Sequence, residues 1–269
     1  MAKIWTKEEE SLLKELTLNG KTRQEVANVF GVTVSSIQNK VRRMNLTKKP
    51  NENIRFFKEI NTEEKAYWLG FIYADGYVVY NKKQGNYELG IEIGDIDIEH
   101  LNKFNKCFNN EFKITTRQRT FKSGNVVKMC SVRVYSKDLV EDLISNNVVP
   151  SKSYSNTFPV IEDEKLFFHF LRGYIDGDGC YSVISVKTSK RVVNYPRITI
   201  AGNNKDCFDY IIRRLKKHNI EGHILKDGNN YKLEVSQKQS CKNLIEKLYS
   251  NSNISLDRKS KKSKKLINL

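Results

Sequence analysis

What most constrains this 269-residue chain is an internal repeat. The segment Trp68-Leu-Gly-Phe-Ile-Tyr-Ala-Asp75-Gly76 returns as Leu171-Arg-Gly-Tyr-Ile-Asp-Gly-Asp178-Gly179, which sets the two aspartates 103 residues apart. The order of elements downstream also recurs. The first copy predicts strands around 77–81 and 87–93, a helix around 100–108, strands around 113–121 and 126–135, and a helix over 139–145. The second predicts strands around 181–187 and 197–201, a helix over 206–218, strands around 222–226 and 231–235, and a helix over 242–249. Each copy closes on Lys-Ser, with Lys152 and Lys259 lying 77 and 81 residues after their aspartates. A chain built this way is α+β, with two pseudo-symmetric α-β-β-α-β-β-α repeats over 61–155 and 156–269.

Within each motif a small residue recurs four positions on, Gly70 with Ala74 and Gly173 with Gly177. Residues so spaced share one helix face, and a face without bulk lets two helices pack backbone to backbone. Symmetric packing of that kind brings together Asp75 and Asp178 at two helix C-termini. Each aspartate is followed by a glycine expected to end the helix in the left-handed conformation. Two carboxylates at two negative helix ends repel one another, and a divalent cation relieves that repulsion. Carboxylates that hold a hard cation are what phosphodiester hydrolysis requires.

The paired motifs and repeats resemble the LAGLIDADG homing endonucleases over about residues 61–260. The resemblance implies antiparallel sheets forming a saddle over double-stranded DNA and a monomer acting as a pseudo-dimer. It implies Asp75 and Asp178 as metal-binding catalytic acids for Mg²⁺ or Mn²⁺, with the carbonyls of Ala74 and Gly177 as further ligands. It implies a staggered double-strand break in a long asymmetric target, in an enzyme of intron homing or another mobile element. Lys152 and Lys259 are the candidates for basic residues beside each cut; phosphate clamps or surface lysines are the alternative, and for Lys259 a solvated tail, because it sits in the run RKSKKSKK. The sequence departs from the family pattern at Tyr73, where an acid is usual, and at Arg172, where a small residue is usual. Asp176 retains the earlier acid and reads as structural or water-ordering.

The formal charge of +16, from 47 Lys plus Arg against 31 Asp plus Glu, calls for a polyanionic partner. On or between the expected ribbons lie Lys82, Lys83, Gln84, Arg117, Gln118 and Arg119 in the first copy. The second has Lys187, Lys190, Arg191, Arg197 and Lys226. Arg suits guanine edges, Gln suits adenine and Lys more often meets phosphate.

Residues 1–46 form a separate all-α, tri-helical unit, joined by a linker over 47–60. Thr6 with Glu9 opens a helix carrying Leu12, Leu13 and Leu16, a second runs from Thr22 to Phe30, Gly31 turns the chain, and a third begins near Thr33. The third keeps Val34, Ile37 and Val41 inward and presents Gln38, Asn39, Lys40, Arg42 and Arg43. The pattern resembles Myb-like helix-turn-helix DNA-binding domains.

Five scattered cysteines without CxxC spacing, and four histidines, speak against a zinc site and a disulfide framework. A charged start and the lack of a long apolar run predict no membrane contact and a cytoplasmic or other reducing intracellular setting. Two further readings stay open: a non-catalytic DNA-binding regulator on the same scaffold, and an RNA-binding intron maturase.

Overall fold

The computed structural model describes residues 3–19, 21–44, 46, 52–120, 124–152, 155, 157–187, 189 and 191–267, divided into a unit ending at Ile54 and one beginning at Arg55. The first unit has three helices, α1 (Lys7–Leu18), α2 (Arg23–Phe30) and α3 (Val34–Arg43). Thr6 with Glu9 and Thr22 with Glu25 form reciprocal capping boxes, so side chains satisfy the first free amides of α1 and α2. Gly31 ends α2 at φ 60°, a conformation costly for any residue with a Cβ. Leu13, Val26, Ala27, Ile37, Val41 and Leu46 form the core, with Trp5, Leu16 and Val34 packed half-buried around it. Leu12 departs from the expected stripe and is exposed, Thr17 taking the inward position in its stead.

The second unit opens with α4 (Glu63–Asp75), then β1 (Gly76–Asn81), β2 (Asn86–Gly94), α5 (Ile98–Lys106), β3 (Ile114–Thr120), β4 (Val126–Tyr135) and α6 (Lys137–Ser145). The second repeat follows as α7 (Glu164–Asp178), β5 (Gly179–Lys187), β6 (Val192–Gly202), α8 (Lys205–Lys216), β7 (His223–Asp227), β8 (Asn230–Val235) and α9 (Lys238–Tyr249). Each repeat makes one antiparallel four-stranded sheet, ordered β1-β2-β4-β3 and β5-β6-β8-β7. The registers correspond: Gly76 pairs with Ile91 as Gly179 pairs with Ile200.

Helices α5 and α6 cover one face of the first sheet, and α8 and α9 one face of the second. Strand alternation sends Leu89, Ile91, Val132 and Val134, and likewise Ile198, Ile200, Leu233 and Val235, into these two cores. The other face of each sheet is open. Among the described residues no helix is long and apolar enough to cross a membrane, and none of the five cysteines is in a disulfide.

The basic run after Asp257 is not a loose tail. It forms α10 (Asp257–Ile267), which buries Lys259, Ser263 and Leu266, spaced four and three apart along one helical stripe. Ion pairs Lys103–Asp257 (2.6 Å) and Arg258–Asp97 (2.8 Å) fasten its start to the first repeat.

Candidate active site

The site is built where α4 meets α7. A Cβ added at Gly70 would lie 2.0 Å from the Phe170 carbonyl oxygen, and one at Gly173 would lie 2.0 Å from that of Tyr67. The positions are equivalent in the repeats, so the crossing is symmetric and closes to backbone contact only because both residues are glycine. Near the C-termini Gly177 faces Ala74, and an added Cβ there would come 3.4 Å from Asp75 Oδ2. The motif aspartates are thus brought to one place.

Gly76 and Gly179 correct one expectation. Their φ, ψ values are −83°, 161° and −92°, 166°, extended rather than left-handed. Each helix runs directly into β1 or β5, and glycine is required because a Cβ would strike Ile72 or Ile175 one turn back, at under 3 Å. The carboxylates therefore stand at the seam between motif helix and open sheet face.

Both aspartates reach solvent, yet surrounding protein removes enough hydration to raise them. Asp178 is pushed to about 6, by burial first and the charge of Asp75 second, against the pull of Lys152 and Lys259. Asp75 is raised by burial and opposed by Lys259 and Lys152. Lys259, 6% exposed, donates to the carbonyls of Ile175 (2.9 Å) and Gly177 (2.7 Å). Lys152, half-buried, donates to the carbonyl of Gly76. Burial lowers both ammonium groups while the neighbouring carboxylates counteract it. Two carboxylates and two ammonium groups, drawn from both repeats, share one small region.

The retained acid Asp176 and the two departures from the motif pattern, Arg172 and Tyr73, have distinct structural roles. Asp176, fully buried, accepts from Tyr67 OH (2.7 Å) and the Leu256 amide (2.7 Å), which holds the segment entering α10; burial raises it to about 6. Arg172, with no exposed surface, donates to the carbonyls of Ile254 (2.8 Å) and Leu248 (2.5 Å) and to Glu63 Oε1 (2.7 Å). Tyr73, in place of an acid, packs edge-on against Tyr174. With Ala74, Lys152 and Asp178 these two tyrosines line an open cleft.

The sequence matches the LAGLIDADG endonuclease family model over residues 171–268 and the LAGLIDADG-like domain model over residues 62–146. The chain belongs to the LAGLIDADG homing endonuclease family. No curated protein matches its sequence. In fold it is similar to the meganuclease I-SmaMI bound to uncleavable DNA, with TM-score 0.55 and 15% identity over 77% of this chain and 90% of that one. It is also similar to the LAGLIDADG meganuclease I-AabMI bound to uncleaved DNA, with TM-score 0.53 and 15% identity over 75% of this chain and 88% of that one. A third similar structure is I-SmaMI bound to cleaved DNA, with TM-score 0.53, 16% identity and coverage of 76% and 87%.

The LAGLIDADG scaffold sorts the residues expected to meet a ligand by face. Arg117 and Arg119 lie on the open face of the first sheet, whereas Gln118 between them points the other way, as a period of two requires. Arg197 is on the open face of the second sheet, while Lys187 and Lys226 share the register of the opposite face. Lys82, Lys83 and Gln84 are exposed in the β1–β2 turn and Arg191 in the β5–β6 turn; Lys190 lies outside the described residues. The open face of the first sheet also carries Glu88, Glu92 and Arg133, which charge alone did not single out. Arg117 pairs with Glu92 (2.6 Å) and Arg133 with Glu88 (3.5 Å). In the first unit Gln38, Asn39, Arg42 and Arg43 are exposed on α3, but Lys40 is turned to Glu10 and the Trp5 ring.

Proposed function

We propose that this protein is a site-specific endonuclease that makes a staggered double-strand break in a long asymmetric DNA target by divalent-metal-assisted hydrolysis, acting as a monomer with two unlike halves. The observation that carries the reading is the symmetric glycine-mediated crossing of α4 and α7, which gathers Asp75, Asp178, Lys152 and Lys259 at the head of both open sheet faces.

The residues present fit a hard cation. Burial raises Asp75, and burial with the charge of Asp75 raises Asp178, against the pull of Lys152 and Lys259, and among the described residues no third His, Cys, Asp or Glu joins them. One or two carboxylates, supplemented by carbonyls and water, is the ligand set Mg²⁺ accepts. Asp75 and Asp178, with the carbonyl of Ala74, would hold Mg²⁺ or Mn²⁺, which would supply Lewis acidity toward phosphate oxygens and lower the pKa of bound water; the carbonyl of Gly177 would join them only on release from Lys259, to which it is bonded (2.7 Å). Lys152 and Lys259 place positive charge beside each carboxylate, where negative charge grows on a phosphate during attack. One acid and one lysine per repeat serve one cut per strand. The open sheet faces, with Arg117, Arg119 and Arg197, contact the duplex on either side. The exposed donors of α3 supply additional DNA contacts.

The test is cleavage of a randomised duplex library by the full chain with Mg²⁺, beside EDTA and the double variant Asp75→Asn, Asp178→Asn, with the product ends sequenced. Site-specific breaks lost in both controls, by at least ~10³-fold, are expected. Duplex binding without cleavage across several divalent metals would favour a regulator, and preference for RNA over duplex a maturase.

A further inference from the structure

The two β-hairpins that follow the aspartates match rung for rung until they part at their outer ends. Counting from Gly76 and Gly179, the Asn81–Asn86 rung of the first corresponds to the Ile184–Tyr195 rung of the second. There the first hairpin stops, and Asn81 and Gln84 bond to one another across its turn. The second continues for three more rungs, to Lys187–Val192. Alternation places Ile184, Val186, Val193 and Tyr195 together on its open face, the face of Arg197. Directly opposed side chains lie about 5 Å apart, so the four make one apolar patch. It is not buried: Val186 and Tyr195 are each 44% exposed.

Val183 and Val192 are exposed on the other face of the extension, but the open face is the one continuous with Arg197 and the candidate site, and there an apolar patch on a chain of net charge +16 has an occupant to meet. Arg191, in the hairpin turn, and Arg197, on the next open-face position of β6, flank it, giving an apolar floor with cations at its rim. A two-stranded ribbon fits the DNA major groove, where the apolar group displayed by the bases is the thymine C5 methyl. We propose that Ile184, Val186, Val193 and Tyr195 read thymine methyl groups, so that the outer part of the target under the second repeat is A·T-rich and the matching part under the first is not read in this way. The inference rests on the endonuclease reading above. Ile184 and Val186 stand six and eight residues beyond Asp178, roughly 20–26 Å along an extended strand, which places the thymines on the order of six to eight base pairs from the cut.

The experiment selects bound duplexes from a randomised library with the full chain in EDTA, then replaces thymine by deoxyuridine in one outer segment at a time and measures affinity. Each methyl lost under the second repeat should weaken binding about fourfold, the weight of one buried methylene, with no comparable effect under the first. The variant Val186→Ser, Val193→Ser, checked for folding by circular dichroism, should lose the methyl dependence of the outermost thymines and keep that of the thymines nearer the cut, under Ile184 and Tyr195. Equal methyl dependence in both outer segments, or none, overturns the inference and leaves the endonuclease reading standing. No enriched sequence overturns both. Self-association of the wild type that the variant loses, with its methyl dependence unchanged, overturns the inference in favour of a second copy of the chain as the occupant.

Discussion

Helices α4 and α7 make the same backbone contact and surround it with different side chains. Gly70 and Gly173 each meet the other helix's carbonyl oxygen, which a Cβ would approach to 2.0 Å. Around that contact the polar groups are concentrated in α7. Its Arg172 and Asp176 stand where α4 has Leu69 and Tyr73, and they bind the chain at Leu248, Ile254 and Leu256. That chain then enters α10, which bears Lys259. Among the described residues the first repeat has only a long contact at the matching place, Tyr73 OH to the Thr157 carbonyl (3.5 Å), and its Lys152 is only half-buried. Backbone symmetry gathers the acids, while side-chain asymmetry fixes one lysine more firmly than the other.

The largest test attacks the symmetric part. Gly70→Ala or Gly173→Ala forces a Cβ into a rigid carbonyl from which neither helix can retreat alone, so each should cost upward of about 3 kcal/mol in urea unfolding. The costs should agree to within about 0.5 kcal/mol; a tolerated substitution at one site would break the equivalence. Next in size is Arg172→Leu, which installs the residue found at the matching place in α4. It leaves Glu63 and two backbone carbonyls without their buried donor, a loss of about 3 kcal/mol. If stability is unchanged, the bracing has no energetic weight.

The lysines sharpen the comparison in function. Lys259→Met should slow cutting of one strand by about 10²-fold and Lys152→Met that of the other by about tenfold, since a pre-positioned charge loses more when removed. Nicking of a supercoiled plasmid carrying the selected target separates the strands, and equal effects would show that burial of Lys259 confers no advantage.

Much of this was legible in the sequence because it depends on local spacing. The four-residue interval between small residues and the adjoining aspartates specify a helix crossing and its chemistry, and alternation specifies the strands. Legibility ended where partners are distant or polar residues act as core. Arg172 reads as an anomaly until Leu248, Ile254 and Glu63 are seen around it. The stripe Lys259, Ser263, Leu266 is helical in spacing, but two of its members are polar and hide it within a basic run. Arg117, Gln118 and Arg119 count together as candidate contacts on the expected ribbons, though period two already divides them between faces.

The smallest effect concerns acid. Helices α5 and α8 bury matching residues, His100, Leu101 and Phe104 against Cys207, Phe208 and Ile211, so the first repeat alone hides an imidazole there. Tyr67 OH gives its one proton to Asp176, so the contact of His100 Nε2 with that oxygen (2.9 Å) requires Nε2 to donate. Burial, reinforced by Lys103, depresses His100 to about 3, whereas the unfolded chain takes up the proton near 6.5. Neutral His100 therefore contributes its full stability above about pH 6.5, and the contribution is lost as pH falls toward 3. Between pH 8 and pH 6 the loss is about 1 kcal/mol. Asp176 and Asp178, raised to about 6, work in the opposite sense over part of that range, so the informative quantity is the difference between wild type and His100→Gln, which keeps a donor for Tyr67. Urea titrations should show the variant's stability falling less on acidification than the wild type's, with Cys207→Ser leaving the slope as it was. Parallel slopes for wild type and His100→Gln would mean that the imidazole is protonated within the fold and that the repeats do not differ in acid response.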